Sequence, residues 1–287
     1  TSALPHLRIA DAYAASKDND GAAASIRRAM KADPNSLPAQ RAGIALAMRE
    51  KQPAQALDIA RAVQSQRPED ALGYLLEGDI ELGQQNYERA IVVLKKAIEK
   101  PDSAEAAPRL HLSLLGAKKD AEADKMAKNW EKTHPDDIRF ALHLAATAAK
   151  QGNPSLAESR YRDVLKRQPD NVLALNNLAY LLVNEKKPGA MALAEQAVKL
   201  APDQPLLMDT LALSYAQENQ LDKAVALQTR VVKLAPGVPD YRLNLARLKV
   251  QASDITGARL ELSNLVALGK EYPRQDEVSK LLQTLPK

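Results

Sequence analysis

A proline that follows the end of a helical segment recurs every 33 or 34 residues along the chain. These prolines are Pro34, Pro68, Pro101, Pro135, Pro169, Pro202 and Pro236, and Pro273 follows 37 residues later. A fixed period of this length indicates one supersecondary unit repeated many times. In such a chain each unit packs only against its neighbours, so we expect a stack of repeats rather than a single compact core.

Each unit reads as a pair of short amphipathic helices, shown most clearly by residues 171–205. The first apolar stripe, at spacing i, i+3, i+4 and i+7, is Leu175, Leu178, Ala179 and Leu182. Turn-forming residues interrupt it, and a second stripe follows at Ala190, Ala194, Ala197 and Val198. Pro53, Pro154 and Pro188 are predicted to open second helices, because proline is tolerated in the first turn. One such pair buries too little apolar surface to be stable alone.

Small residues recur at two fixed phases of the repeat, which is counted from the third residue after each proline. Position 20 holds Ala22, Ala56, Ala90, Ala123, Ala157, Ala190, Ala224 and Ala258, and position 8 holds Ala10, Gly78, Ala145, Ala179, Ala212 and Ala246. With this period, the chain resembles the tetratricopeptide repeat (TPR) family over nearly its whole length. The resemblance implies an all-α fold, a right-handed α-solenoid of about eight TPR helix-turn-helix repeats.

The predicted solenoid is a single domain over residues 1–287. Its repeats are placed at about 3–36, 37–70, 71–103, 104–137, 138–171, 172–204, 205–238 and 239–275, and a polar capping helix is predicted at 276–285. Ile44 and His111 replace the small residue in the second and fourth repeats, so less regular packing is expected there. Pro108 is predicted to delay the first helix of the fourth repeat.

Composition excludes several classes of function. A net charge of +4 from 40 basic and 36 acidic residues predicts a mixed solvated surface, not a nucleic-acid-binding one. The chain has no cysteine, no run of about 18 apolar residues to span a membrane, no phosphate loop and no HExxH motif. We therefore expect neither an enzyme nor a metal or other cofactor, and we expect Trp130 to pack between helices.

In TPR proteins the first helices line the concave wall, and the resemblance implies a binding face there. The candidate partner-binding residues are Arg139, Leu142, Asn176, Tyr180, Asn184, Asp209, Leu213, Leu243 and Arg247. This apolar strip with polar edges suits an extended peptide or an amphipathic helix of a protein partner. Leu142, Leu213 and Leu243 have an alternative interpretation, in which they pack between adjacent repeats.

One known binding mode of the family lacks its residues in this chain. Chaperone-binding TPR domains clamp a C-terminal carboxylate with lysine at position 5 and asparagine at position 9. Position 5 holds no lysine: it reads Leu7, Arg41, Leu75, Pro108, Leu142, Asn176, Asp209 and Leu243. Binding of an acidic chaperone tail is therefore not expected.

A closer resemblance covers about one and a half repeats. The segments NNLAYLL and LAPDQPLLMDTLA are similar to the C-terminal repeats of the large TPR proteins of the PEP-CTERM/exosortase system, lipoproteins linked to exopolysaccharide production. This resemblance implies a scaffold on the periplasmic side of a bacterial envelope. It also implies a fragment whose missing N-terminal part carries the signal and a lipidated cysteine.

Two alternatives remain open at this point. The second hypothesis is a cytoplasmic adaptor for a chaperone or regulatory complex. The chain is also readable as a self-assembling solenoid, because its first repeat begins without a cap. A monomer or weak end-to-end association is expected.

Overall fold

The computed structural model describes residues 2–101 and 103–286, and the secondary structure of these residues is entirely helical. The helices alternate with short turns, as the 34-residue period predicts. Their bounds are α1 Leu4–Ala15, α2 Asn19–Ala32, α3 Leu37–Arg49, α4 Pro53–Gln66, α5 Leu72–Gly83, α6 Tyr87–Ile98, α7 Ala106–Gly116, α8 Asp120–Thr133, α9 Ile138–Lys150, α10 Pro154–Arg167, α11 Val172–Asn184, α12 Ala190–Leu200, α13 Pro205–Gln217, α14 Leu221–Leu234, α15 Pro239–Gln251, α16 Ile255–Val266 and α17 Gln275–Thr284. Two 3-10 turns, Ser103–Glu105 and Gly269–Glu271, precede α7 and α17. The all-α prediction is confirmed.

The chain is organised as two compact units, residues 1–140 (unit 1) and 141–287 (unit 2), and their boundary lies inside α9. In unit 1, each helix from α1 to α8 packs against the next, and α5 also contacts α7. In unit 2, each helix from α10 to α17 packs against the next. There the first helices α11, α13 and α15 also contact one another in series. Each unit is thus a stack of helix pairs.

The predicted small-residue slots are where the helices meet. All eight alanines of position 20 are buried, and six of them have no exposed surface: Ala56, Ala90, Ala123, Ala157, Ala224 and Ala258. A methyl group allows two helix backbones to approach closely, while a larger side chain would hold them apart. Ile44 and His111, which break the position 8 pattern, are buried as well.

Prolines begin several helices, with one exception. Pro53, Pro154, Pro205 and Pro239 are the first residues of α4, α10, α13 and α15. The prediction for Pro188 is wrong, because α12 begins only at Ala190, after a left-handed Gly189 with φ of 93°. The glycine conformation ends the turn between α11 and α12, so Pro188 lies in that turn instead of in a helix.

Pro108 lies in the first turn of α7, which starts five residues after Pro101. In most other repeats, the first helix starts three residues after the proline, as Leu37 does after Pro34. The helix start is therefore delayed, as predicted. The 3-10 turn Ser103–Glu105 directly precedes α7.

The turn inside every helix pair has a residue in the left-handed conformation at an equivalent position. These residues are Lys17, Lys51, Gln85, Lys118, Gly152, Lys186, Asn219 and Ser253, spaced 33 or 34 residues apart. The turn hydrogen bonds explain the conformation: Lys51 N donates to Met48 O at 3.1 Å, and Gln52 N donates to Ala47 O at 2.8 Å. These bonds satisfy carbonyls at the end of the first helix. Only one of these eight residues is glycine, so the sequence does not indicate which turn residues are left-handed.

Alanine substitutions at Gly73 and Gly83, both on α5, test the close approach of helices in unit 1. A Cβ atom at Gly73 would lie 2.6 Å from the backbone N and 2.8 Å from the Cα of Gln64, whereas Gly83 has no such neighbour within 4 Å. Gly73→Ala is expected to lower the free energy of unfolding by about 1–3 kcal/mol, because α4 and α5 must separate. Gly83→Ala, the matched control, should raise it by up to about 1 kcal/mol, because alanine favours helix. Urea unfolding checks both, and a stabilising Gly73→Ala would contradict the packing.

Candidate functional site

Four large apolar side chains stand on the face that the first helices α11 and α13 present to solvent. Leu173 and Tyr180 lie seven residues apart on α11 and are 57% and 48% exposed. Leu206, 54% exposed, and the half-buried Leu213 have the same spacing on α13. Seven residues are two helical turns, about 10 Å, so each pair points the same way. We call Leu173, Tyr180, Leu206 and Leu213 the apolar strip.

Two open grooves adjoin the apolar strip. Groove 1, of about 600 Å³, is lined by Ala146, Ala149, Lys150, Gly152, Pro154, Tyr161, Asn177, Tyr180, Leu181, Asn184 and Glu185. Groove 2, of about 570 Å³, is lined by Val183, Lys186, Pro188, Leu213, Ala216, Gln217, Glu218, Arg247, Leu248 and Gln251. Tyr180 therefore belongs to groove 1 and Leu213 to groove 2. Both grooves combine apolar walls with a few polar groups, as binding clefts generally do.

The nine residues predicted from the sequence divide into three groups by exposure. Arg139, Tyr180 and Asn184 are exposed, Leu142, Leu213 and Arg247 are half-buried, and Asn176, Asp209 and Leu243 are buried. Arg139 is the one that lies in unit 1, where its guanidinium is 3.6 Å from Glu105. Tyr180 and Asn184 share groove 1, while Leu213 and Arg247 share groove 2.

Leu243 must be removed from the candidate surface. Its side chain has no exposed area and packs with Ala246, Ala258 and Leu262 in the core of unit 2. The position points between α15 and α16 and not toward solvent. The alternative interpretation, that this leucine packs between adjacent repeats, is closer to the structure, since the cluster joins α15 and α16 to the C-terminal helix α17.

Asn176 is also buried. Its Nδ2 donates to Asn177 Oδ1 at 3.3 Å, and its Oδ1 has no hydrogen-bond partner among the described residues. Asn177, its neighbour, lines groove 1 instead. A partner on this face would therefore meet Asn177 before Asn176.

Asp209 is the centre of a buried polar network between α13, α14 and α15. Its carboxylate accepts hydrogen bonds from Gln228 Nε2 at 2.6 Å and from Asn244 Nδ2 at 2.9 Å. Burial raises the pKa of the Asp209 carboxyl above its ordinary value near 3.8, although these hydrogen bonds act to lower it. The network joins three helices below the face rather than presenting a charge to a partner.

The raised pKa of Asp209 predicts a pH dependence of stability. The folded state binds the Asp209 proton more tightly than the unfolded state does. The contribution of this carboxyl to the free energy of unfolding therefore rises as the pH falls from above the raised pKa toward 3.8. The Asp209→Asn variant does not titrate there, so its stability relative to wild type should fall between pH 7 and pH 4. Urea unfolding of both proteins at the two pH values measures this. A relative stability that rises on acidification would contradict the raised pKa.

Arg247 serves both the groove and the C-terminal helix. It lines groove 2, yet its guanidinium forms an ion pair with Glu277 of α17 and donates to Asn244 Oδ1 at 3.3 Å. Burial, followed by the nearby charge of Arg274, lowers the pKa of Arg247. An anionic partner would have to compete with Glu277 for this cation.

Sequence reasoning missed Tyr161, Asn177 and Lys186, which line the grooves. Tyr161 comes from a second helix and Lys186 from a turn, so neither occupies an expected first-helix position. Burial raises the pKa of the Tyr161 hydroxyl, and a hydrogen bond with Asn177 opposes this. Asn177 could have been found from its place beside Asn176, one residue further around α11.

Across residues 2–101 and 103–286, no group of three or more histidine or acidic residues is placed to hold a metal ion. None of the helices there combines the length and apolar character required to cross a bilayer.

Models of the tetratricopeptide repeat match three stretches of the chain, residues 5–36, 44–108 and 142–205. A TPR repeat-containing protein of Pseudomonas aeruginosa is 30% identical over 158 residues, which are 52% of this chain and 26% of that protein. An uncharacterized protein of Sinorhizobium fredii, y4yS, is 31% identical over 100 residues, 34% of this chain and 55% of that protein. The chain thus spans only a quarter to about half of these relatives.

Solved structures with similar folds share less sequence. Yeast Tom70 superposes with a TM-score of 0.68 at 17% identity, covering 98% of this chain and 57% of Tom70. Cut9, in the APC/C Cut9–Hcn1 hetero-tetramer, gives 0.63 at 17% identity over 97% of this chain and 55% of the other. PilF of Pseudomonas aeruginosa gives 0.57 at 21% identity, covering 78% and 98%. At these identities the likeness shows the fold alone.

Proposed function

We propose, from the premise that this chain belongs to the tetratricopeptide repeat family, that it is a non-catalytic scaffold that binds a partner protein on the first-helix face of unit 2. The observation that carries the proposal is the apolar strip, whose four large side chains are solvent-accessible and two of which, Tyr180 and Leu213, line the grooves. Exposed apolar groups that cluster on one face generally mark interaction sites.

The geometry suits an amphipathic helix or an extended peptide. Tyr180 and Leu213 each belong to a groove, and aromatic and apolar side chains that fill pockets supply most of the binding energy at interfaces. Lys150 and Glu185 lie at groove 1, and Lys186 and Glu218 at groove 2. These opposite charges would orient a partner but would not select a strongly charged one.

For the cellular setting we propose the periplasmic side of a bacterial envelope, in assembly linked to exopolysaccharide production. The support is the resemblance of NNLAYLL and LAPDQPLLMDTLA to repeats of the PEP-CTERM system. Fractionation of the native full-length protein tests the setting. Recovery in the cytoplasm would favour an adaptor role there.

The binding face is tested by combining Tyr180→Ala with Leu213→Ala. A partner captured by the wild-type chain and then purified should bind this double variant at least about tenfold more weakly, because both groove anchors are gone. Leu156→Ala with Leu260→Ala is the matched control, because these exposed leucines lie on second helices of the same unit. Undiminished binding by the Tyr180/Leu213 variant would exclude this face.

Self-association is a second candidate, favoured by α1. This helix exposes Leu4, Ile9 and Tyr13. Light scattering tests it: the mass should rise with concentration and return to that of a monomer in Ile9→Ser with Tyr13→Ser. A monomer at all concentrations would reject this candidate.

A further inference from the structure

Three leucines of unit 2 that do not belong to the apolar strip are exposed at one phase of the repeat. Leu200 ends α12, Leu234 ends α14, and Leu268 lies in the turn after α16. They are spaced by 34 residues and are 42%, 47% and 37% exposed. None of them lines groove 1 or groove 2. Equal spacing at the repeat period places them on the same edge of the stack, where each second helix ends.

This phase of the repeat does not require an apolar residue. Counted as ten residues after the alanine of position 20, the same slot in the five preceding repeats holds Ala32, Gln66, Lys100, Thr133 and Arg167. No large apolar side chain occurs among these five, so packing of the helix pair can be completed without one. The three leucines are therefore an additional feature of the last three repeats.

Each of these leucines has an exposed lysine beside it. Lys199 and Lys233 directly precede Leu200 and Leu234, and Lys270 follows Leu268 by two residues. We call these six residues the leucine–lysine edge.

The acidic residues near the edge leave these lysines in excess. Asp203 forms an ion pair with Arg230, and Asp170 accepts a hydrogen bond from Gln196 at 3.0 Å. Glu271 follows Lys270 in the chain. The four basic groups Lys199, Arg230, Lys233 and Lys270 outnumber the three carboxylates Asp170, Asp203 and Glu271 by one, and this positive excess would attract an anionic surface.

We propose that the leucine–lysine edge rests on an anionic lipid bilayer, with the leucines in the interfacial region and the lysines near lipid phosphates. A bilayer fits better than a partner helix because the leucines stand singly, one at or just after the end of each of α12, α14 and α16, and lie outside grooves 1 and 2. Lysine stems cover apolar surface while the ammonium group stays in the polar layer. Apolar insertion and attraction of basic groups to anionic lipid act together in such peripheral contacts.

Co-sedimentation of the full chain with vesicles tests the proposal. The chain should bind vesicles of phosphatidylcholine with roughly 30% phosphatidylglycerol, and bind vesicles of phosphatidylcholine alone at least about tenfold more weakly. Raising the salt toward about 1 M should release it, because the Debye length shrinks to about 3 Å. Absence of binding to the anionic vesicles would overturn the proposal.

Two variants separate the two halves of the edge. Leu200→Ser with Leu234→Ser and Leu268→Ser removes the apolar part, and Lys199→Glu with Lys233→Glu and Lys270→Glu reverses the charge at three exposed positions. Each should weaken vesicle binding by at least about tenfold. Leu156→Ser with Leu260→Ser, which removes two other exposed leucines of unit 2, should leave it unchanged.

Other outcomes also decide the question. Unchanged binding by the lysine variant would overturn the proposal, even if the leucine variant folded poorly. Loss of a captured protein, rather than of vesicles, from the lysine variant would mean that the edge binds a protein and would equally overturn it. Capture by the apolar strip should survive in both edge variants, so failure here is distinguishable from failure of the proposed function.

Discussion

Trp130→Ala is expected to lower the free energy of unfolding by about 3–5 kcal/mol, one of the largest effects of any single substitution in this chain. Trp130 is buried in unit 1, where its ring stacks on His134 with centroids 3.7 Å apart and meets the edge of Phe140 at 6.2 Å. Its Nε1 donates to Asp137 Oδ2 at 3.0 Å. Alanine would leave a cavity that these neighbours cannot fill by small movements.

The hydrogen bond of Trp130 also connects it to the start of α9, through Asp137. Asp137 Oδ1 accepts from Phe140 N at 3.1 Å, which ties the carboxylate to the first turn of that helix. Trp130→Phe keeps one of the two fused rings and loses the hydrogen bond and part of the ring contact, so it should cost about 1–3 kcal/mol. Urea unfolding followed by far-ultraviolet circular dichroism compares the two. An alanine variant no less stable than the phenylalanine variant would contradict the packing role.

Leu243→Ala is expected to destabilise unit 2 by about 2–5 kcal/mol, because the leucine is completely enclosed by the α15, α16 and α17 core. The favourable free energy of moving several methyl and methylene groups from water into the core is lost. The neighbouring Ala246 and Ala258 are too short to fill the space. The midpoint of urea unfolding measures the effect.

Leu260→Ala is the matched control, since Leu260 is among the most exposed leucines of the same unit. Its cost should stay within about 0.5 kcal/mol, as for most surface substitutions. If Leu243→Ala were equally harmless, the leucine would not be a core residue. The original assignment to the binding face would then have to be restored.

The fold was predictable from the sequence because its determinants are local and periodic. The alanines of position 20 mark the line along which each helix pair closes, and all eight are buried. Prolines such as Pro205 and Pro239 fix helix starts through their restricted φ. Pro188 was misplaced because the following glycine takes up a left-handed conformation that ends the turn one residue later.

Part of the turn geometry was not predictable. Lysine has no preference for the left-handed region, yet Lys17, Lys51, Lys118 and Lys186 adopt it in equivalent turns. The helix ends impose it through hydrogen bonds of the kind made by Gln52 N to Ala47 O. Residue identity carries little of this information, because the backbone bonds outweigh the side-chain preference.

The sequence could predict which helices carry the candidate residues, but not how deeply each of these side chains is buried. The resemblance to the repeat family implied that Tyr180 and Leu213 face a partner, and both line grooves. The same resemblance placed Asp209 and Leu243 on that face, but both side chains are buried. Asp209 finds amide donors from Gln228 and Asn244, residues of other helices that no local pattern connects to it.

The most direct measurement of the central claim is site-specific photo-crosslinking to a captured partner. A photoreactive phenylalanine analogue replaces Tyr180 on the first-helix face in one protein and Leu260 on a second helix in another. The account predicts that the partner crosslinks from position 180 and not from position 260. Crosslinking from position 260 alone, with the partner bound, would contradict it.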